Sequence, residues 1–195
     1  MDNYKQKLEN FLNPEILNKN LIIASLYIAV FDNFKHRIIS SVRDFYISGF
    51  KDGQYLYDGY KDEVLNKIKT KNNRTIKASI LWLKESGAIT NADKTKFEEL
   101  TNMRNNLAHE MSQMLFDGFP DNIYQLYVDM IELFEKIEKW WVIEVEMAID
   151  PPNIPYEDMD WKNITSLNIL FLKTMSEIVF TNTDKYMKIA KKINQ

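Results

Sequence analysis

In the run NMRNNLAHE, residues 102–110, an arginine, an asparagine and a histidine stand at positions 104, 105 and 109 of a stretch that otherwise reads as helix. A guanidinium can grip a phosphate through two parallel hydrogen bonds, and an imidazole can move a proton near neutral pH. Arg104 and His109 therefore supply the two groups that RNA cleavage without a metal needs, and Asn105 can orient either of them. His36 is the only other histidine in the chain. No phosphate-cradling glycine loop with its lysine and no nucleophile elbow accompanies the run.

The helix that must carry these residues is expected over about 91–115. Gly87 suits the left-handed residue that ends a preceding helix, and Thr90 with Asp93 fits a capping box. At about 100° per residue, Phe97, Leu100, Leu107, Met111 and Met114 form its apolar stripe, and Arg104 falls inside that stripe. Glu98, Asn102, Asn105 and His109 share a neighbouring polar face, with His109 about 140° from Arg104. A guanidinium aimed at a core needs a carboxylate, a phosphate or a polar interface. Two readings follow. Arg104 pairs with an acid of another helix, such as Asp129 or Glu132, and His109 is an ordinary surface imidazole; or both face a cleft or a dimer interface and act on RNA.

The rest of the chain is read as scaffold. With 195 residues, five glycines, five prolines and 45% hydrophobic residues, it is expected to form one all-α domain over 1–195. Apolar spacing predicts a long helix from Pro14 to about Gly49, with LIIASLYIAVF (21–31) as a core segment too short to span a bilayer. A tyrosine-packed loop is expected over 49–60, then two shorter helices around a basic loop between residues 60 and 83. A further long helix is expected over 119–149, stopped by DPPNIPYED, and one or two helices follow to a lysine-rich end at Lys185, Lys188, Lys191 and Lys192.

The absence of cysteine excludes a disulfide framework and cysteine-ligated zinc, and two histidines make a histidine cluster hard to build, so no metal and no cofactor is expected. The opening residues lack a signal-peptide pattern, which points to the cytoplasm with no membrane partner. A net charge of -3 argues against a surface built mainly for nucleic acid and leaves room for a local basic groove. NKIKTKNNRTIK (66–77) offers one: Lys67, Lys69, Lys71, Arg74 and Lys77 carry no acid among them, as expected of a loop that collects phosphates or of a plain solvated connector. Tyr55, Tyr57 and Tyr60 could stack on bases but more commonly pack a glycine-rich loop, and Trp140 and Trp141 read as core.

RNNLAH at 104–109 matches the R-x4-6-H signature of the HEPN superfamily (higher eukaryotes and prokaryotes nucleotide-binding domains), including the polar residue directly after the arginine. The chain resembles that family over most of its length: helical, of suitable size, with the motif on an internal helix. The resemblance implies an up-and-down bundle of about five to seven helices. It also implies a metal-independent endoribonuclease, often a toxin of a toxin-antitoxin pair or an abortive-infection effector in phage defence. Such a protein would work as a homodimer that joins two motifs, with RNA and an antitoxin protein as partners. Arg104, Asn105 and His109 would be its site, His109 acting on the 2′-OH or the leaving 5′-oxygen and Arg104 on the phosphate. The chain departs from the R-x4-H-x-Y pattern of toxins modified by nucleotidyltransferase antitoxins, because Met111 stands where the tyrosine would be. A non-catalytic bundle of the same kind, binding nucleotide, RNA or a protein, is the alternative. Facing Arg104 and His109 pairs in an open basic cleft would favour the nuclease. Arg104 buried against a carboxylate, with His109 turned to water, would favour the binder.

Overall fold

The computed structural model describes residues 2–151, 159–160 and 164–180. Helix α1 (Asp2–Leu12), α2 (Pro14–Asp44), strands β1 (Ile47–Lys51) and β2 (Gln54–Tyr57), α3 (Arg74–Glu85), α4 (Asn91–Asp117), α5 (Ile123–Trp141), the short α6 (Met147–Ile149) and α7 (Leu167–Phe180) follow in order. The protein is all-α with one small hairpin. Its contacts divide into two compact units whose boundary falls inside α5, between Met130 and Ile131.

The first unit is built on α2 and α4. Pro14 pre-sets the first turn of α2, and the Asn13 side chain accepts hydrogen bonds from the backbone N–H groups of Glu15 and Ile16. The inward face of α2 buries Ile23, Tyr27, Val30, Phe31, Phe34 and Ile38, and α4 contributes Phe97, Leu100, Met103 and Leu107. Phe97 contacts the rings of Phe31 and Phe34 at 5.6 and 5.7 Å, while the Tyr27 hydroxyl donates to the Leu100 carbonyl at 3.3 Å. Earlier residues of α2 thus meet later ones of α4, and the two helices run antiparallel. The opposite face of α2 leaves Leu21 and Ile22 exposed.

Helix α1, which apolar spacing alone did not signal, lies against the end of α4. Phe116 sits between Tyr4 and Phe11, and Lys7 pairs with Asp117 at 2.7 Å. That bond from Lys7 holds the Asp117 carboxyl below the usual carboxylate range.

The long helix expected to reach Gly49 stops at Asp44, and the expected loop over 49–60 contains a β-hairpin. The cause is Asp52-Gly53: both residues have positive φ, 51° and 80°, which a primed two-residue turn requires. Phe50 pairs with Tyr55 across the strands, with a register irregularity between Ile47 and Gly49. Tyr57 lies under the Arg43 guanidinium and Tyr60 packs on Tyr46, so the packing role expected of these tyrosines holds for both. Trp82 Nε1 donates to the Tyr46 hydroxyl, which donates to Glu63, and this chain ties α3 to the hairpin base. A single π-helical turn (Tyr60–Val64) and a 3-10 turn (Leu65–Lys67) stand where the first of the two shorter helices was expected.

In the second unit, α5 continues through a π-helical turn (Val142–Glu146) into α6, so the helical run expected over 119–149 begins at Ile123 and is otherwise present. Phe134, Ile137, Trp141, Ile169 and Leu172 are buried, Trp140 meets Trp141 edge-on, and Lys173 bonds both oxygens of Glu135. The proline-rich stop over 152–158 and the terminal lysines, Lys185 to Lys192, lie outside the described residues.

Candidate functional site

The start of α4 is set by the expected devices. Gly87 has φ +80°, its N–H donates to Lys84 and that of Ala88 to Leu83, closing α3 with a left-handed residue. Thr90 then caps α4 reciprocally with Asp93. The helix is regular up to His109 and leaves helical geometry at Glu110, where φ is -119° and ψ is 15°. Beyond the break Met111 and Met114, expected on the apolar stripe, are only half-buried. Met103, not Arg104, fills the core position at this level.

Arg104 sits at the edge of the core with 29% of its side chain exposed, and its partner is neither Asp129 nor Glu132. Its Nε and Nη2 donate to the two oxygens of Asp32 on α2, each at 3.1 Å. The remaining terminal nitrogen, Nη1, makes a long 3.5 Å contact with Asn105 Oδ1. Asp129 is occupied by Lys96 and Gln125, both at 2.8 Å, and Glu132 is exposed. A side chain four residues along α4 leans back by about one turn, which is how Arg104 reaches the level of Asp32. Nearby, burial and then the Asp129 charge push the Tyr27 hydroxyl well above its ordinary range, so it stays protonated as a donor.

His109 is exposed and bonded to neither Asn105 nor Arg104 among the described residues. Within the chain the structure therefore brings Arg104 and Asn105 together and leaves His109 on the adjoining face. His36, one turn beyond Asp32 on α2, is also exposed.

Beside Arg104 and Asn105 opens a cleft between α3, the first half of α4 and the 68–73 segment. Its larger lobe, about 570 Å³, has an apolar floor of Ile76, Ile80, Leu81 and Phe97 under a rim that includes Asn73, Lys77, Lys94 and Asn102. A smaller lobe of about 110 Å³ reaches toward α2 and meets Lys35, Thr101 and Arg104. Asn73, Ile76, Phe97, Thr101 and Asn105 border both.

The five basic residues expected to collect phosphates part company. Lys77 is exposed on the cleft rim, and Lys69 and Lys71 are exposed in the connecting segment. Lys67 pairs with Glu85. Arg74 donates to the Leu65 carbonyl at 2.9 Å and to Asn66 at 2.8 Å, so it pins the segment. Sequence reasoning missed Asp32, Lys35 and Asn73 as site residues, and it placed Asn102 on the polar face of α4 without assigning it to the site. An acid at the end of the apolar run LIIASLYIAVF was a visible signal for Asp32, but its partner lies 72 residues away. Among the described residues no three acidic or imidazole side chains converge as metal ligands. No family model, no curated protein and no solved structure matches the chain.

Proposed function

We propose that the protein is a metal-independent endoribonuclease of the HEPN kind, acting as a homodimer in the cytoplasm as a toxin or phage-defence effector. The observation that carries the reading is the placement of Arg104: a bidentate carboxylate orients its guanidinium at the mouth of a cleft, and its Nη1 edge remains open to a second acceptor beside Asn105. His109 is exposed on the adjoining face, at the last regular residue before the Glu110 kink.

In this reading one imidazole takes the proton of a ribose 2′-OH, the 2′-oxygen attacks phosphorus, and the 5′-oxygen leaves with a proton from a second acid. Arg104 stabilises the charge that builds on the phosphate oxygens. Because His109 and Arg104 of one chain look about 140° apart around the helix, a two-fold arrangement that faces two motifs supplies the missing convergence.

A second reading is favoured by the Asp32 contact itself. An arginine already satisfied by a carboxylate, with His109 toward solvent, suits a non-catalytic bundle that binds RNA, nucleotide or protein. Cleavage of mixed cellular RNA in EDTA by wild type and by His109→Ala, purified in parallel, separates the two. Cleavage that the variant loses supports the nuclease; equal inactivity of two folded proteins supports the binder. A monomer by sedimentation would count against the two-fold site.

A further inference from the structure

The motif occupies one wall of the cleft, and the other walls have a chemistry of their own. A volume of about 570 Å³ is that of a small-molecule site, and it is floored by apolar side chains with three side-chain amides, Asn73, Asn102 and Asn105, and the Glu98 carboxylate at its border. Each amide both donates and accepts, the pairing that base edges require. The small lobe, about 110 Å³, is several-fold smaller than the larger one and is lined in part by cationic side chains. Lys35 and Arg104 face it together, and neither Lys35 nor Lys77 has an ion-pair partner among the described residues.

Asn73 adds an independent sign. It stands at the N-cap of α3 with φ +52°, and its side chain makes no capping bond there. An asparagine at that position would ordinarily satisfy the helix amides. Here it borders both lobes instead.

We infer that the cleft seats one nucleotide unit of an RNA strand, its base on the Phe97–Ile80 floor, its edge read by Asn73 and Asn102, and its phosphate between Lys35 and Arg104. The cleft would then set the base preference next to the motif. The inference rests on the RNA reading above for the source of the unit, and a free mononucleotide is the competing source of the same chemistry.

The test is fluorescence anisotropy of labelled five-nucleotide RNAs, one per base, on full-length wild type, Lys35→Ala, Asn102→Ala and Asn73→Gly. Glycine at 73 keeps the positive φ available while removing the amide. Wild type should prefer one base by about fivefold or more, as a paired amide contact allows. Asn102→Ala and Asn73→Gly should flatten that preference, and Lys35→Ala should weaken all four RNAs alike and lower the salt dependence. No binding by wild type, or variants that keep its affinity and preference, would overturn the inference. So would a free nucleoside monophosphate that binds as tightly as the oligomers. Cleavage that depends on His109 but ignores these variants would remove the cleft and leave the nuclease. Binding through the cleft without cleavage would do the reverse.

Discussion

The Asp32–Arg104 pair is the contact on which the two readings of the motif divide, and its strength can be worked out beforehand. At 3.1 Å and the dielectric of water, two unit charges attract by about 1.3 kcal/mol. With 29% and 48% of the two side chains exposed, the pair lies near that limit and far from the dry interior. Ordering two side chains offsets part of the attraction, and exposed pairs are worth roughly 0.2–1 kcal/mol when measured. A double-mutant cycle of Asp32→Asn and Arg104→Met, followed by urea unfolding, should therefore give a coupling of about 0.5–1 kcal/mol at moderate salt. In 1 M salt it should fall toward zero, because the screening length shrinks to about 3 Å. Each single variant should lower the melting temperature by only about 1–4 °C. RNA cleavage by Arg104→Met, measured while the protein is fully folded, should fall by about 100-fold or more, the usual loss when a group that meets transition-state charge is removed. A coupling above about 2 kcal/mol that survives 1 M salt would refute the reasoning. The pair would then be a desolvated structural bridge, and that alone would explain an arginine in the stripe.

Other outcomes test the scaffold. Leu107→Ala removes a fully buried side chain of α4 and should cost about 2–5 kcal/mol in chemical unfolding. A Cβ at Gly87 meets no atom within 4 Å, so Gly87→Ala should cost only its backbone strain, about 1 kcal/mol, without altering the denaturant slope. Because Lys7 depresses the Asp117 carboxyl in the folded state, its contribution is complete above the ordinary value of 3.8 and is lost as pH falls through the lower folded value. Amide exchange at α1 should therefore quicken below pH 4 in wild type and show no such acid step in Lys7→Met. Tyr27 behaves in the opposite sense, since its raised folded value means stability complete below pH 10 and lost as pH rises further. Absorbance titration should find tyrosines that ionise only when the chain unfolds in alkali, Tyr27 among them, and Tyr27→Phe should lower their number by one.

Local signals were legible wherever neighbours in sequence are also neighbours in space. Pro14, the Thr90–Asp93 box and Gly87 are read within four residues of themselves, and each stands at the expected end of a helix. The spacing of Phe97, Leu100 and Leu107 likewise located the buried side of α4, and that of 21–31 the core of α2. Asp52-Gly53 was equally local, but the aromatics around it read as loop packing, and the hairpin escaped.

What tertiary structure decided was the environment of the motif. Met103 and Arg104 are adjacent on the helix, and only the approach of α2 determined that the methionine enters the core while the arginine meets Asp32. A kink at Glu110, which no proline or glycine marks, interrupts the helix just before Met111, and Met111 and Met114 are only half-buried. The cleft lies between α3, α4 and the 68–73 segment, with its smaller lobe reaching α2, and its two lobes bring Lys35, Asn73 and Asn102 together from three elements. Periodicity reports the face a residue occupies on its own helix; the partner across that face comes from segments whose distance in sequence carries no signal in a single chain.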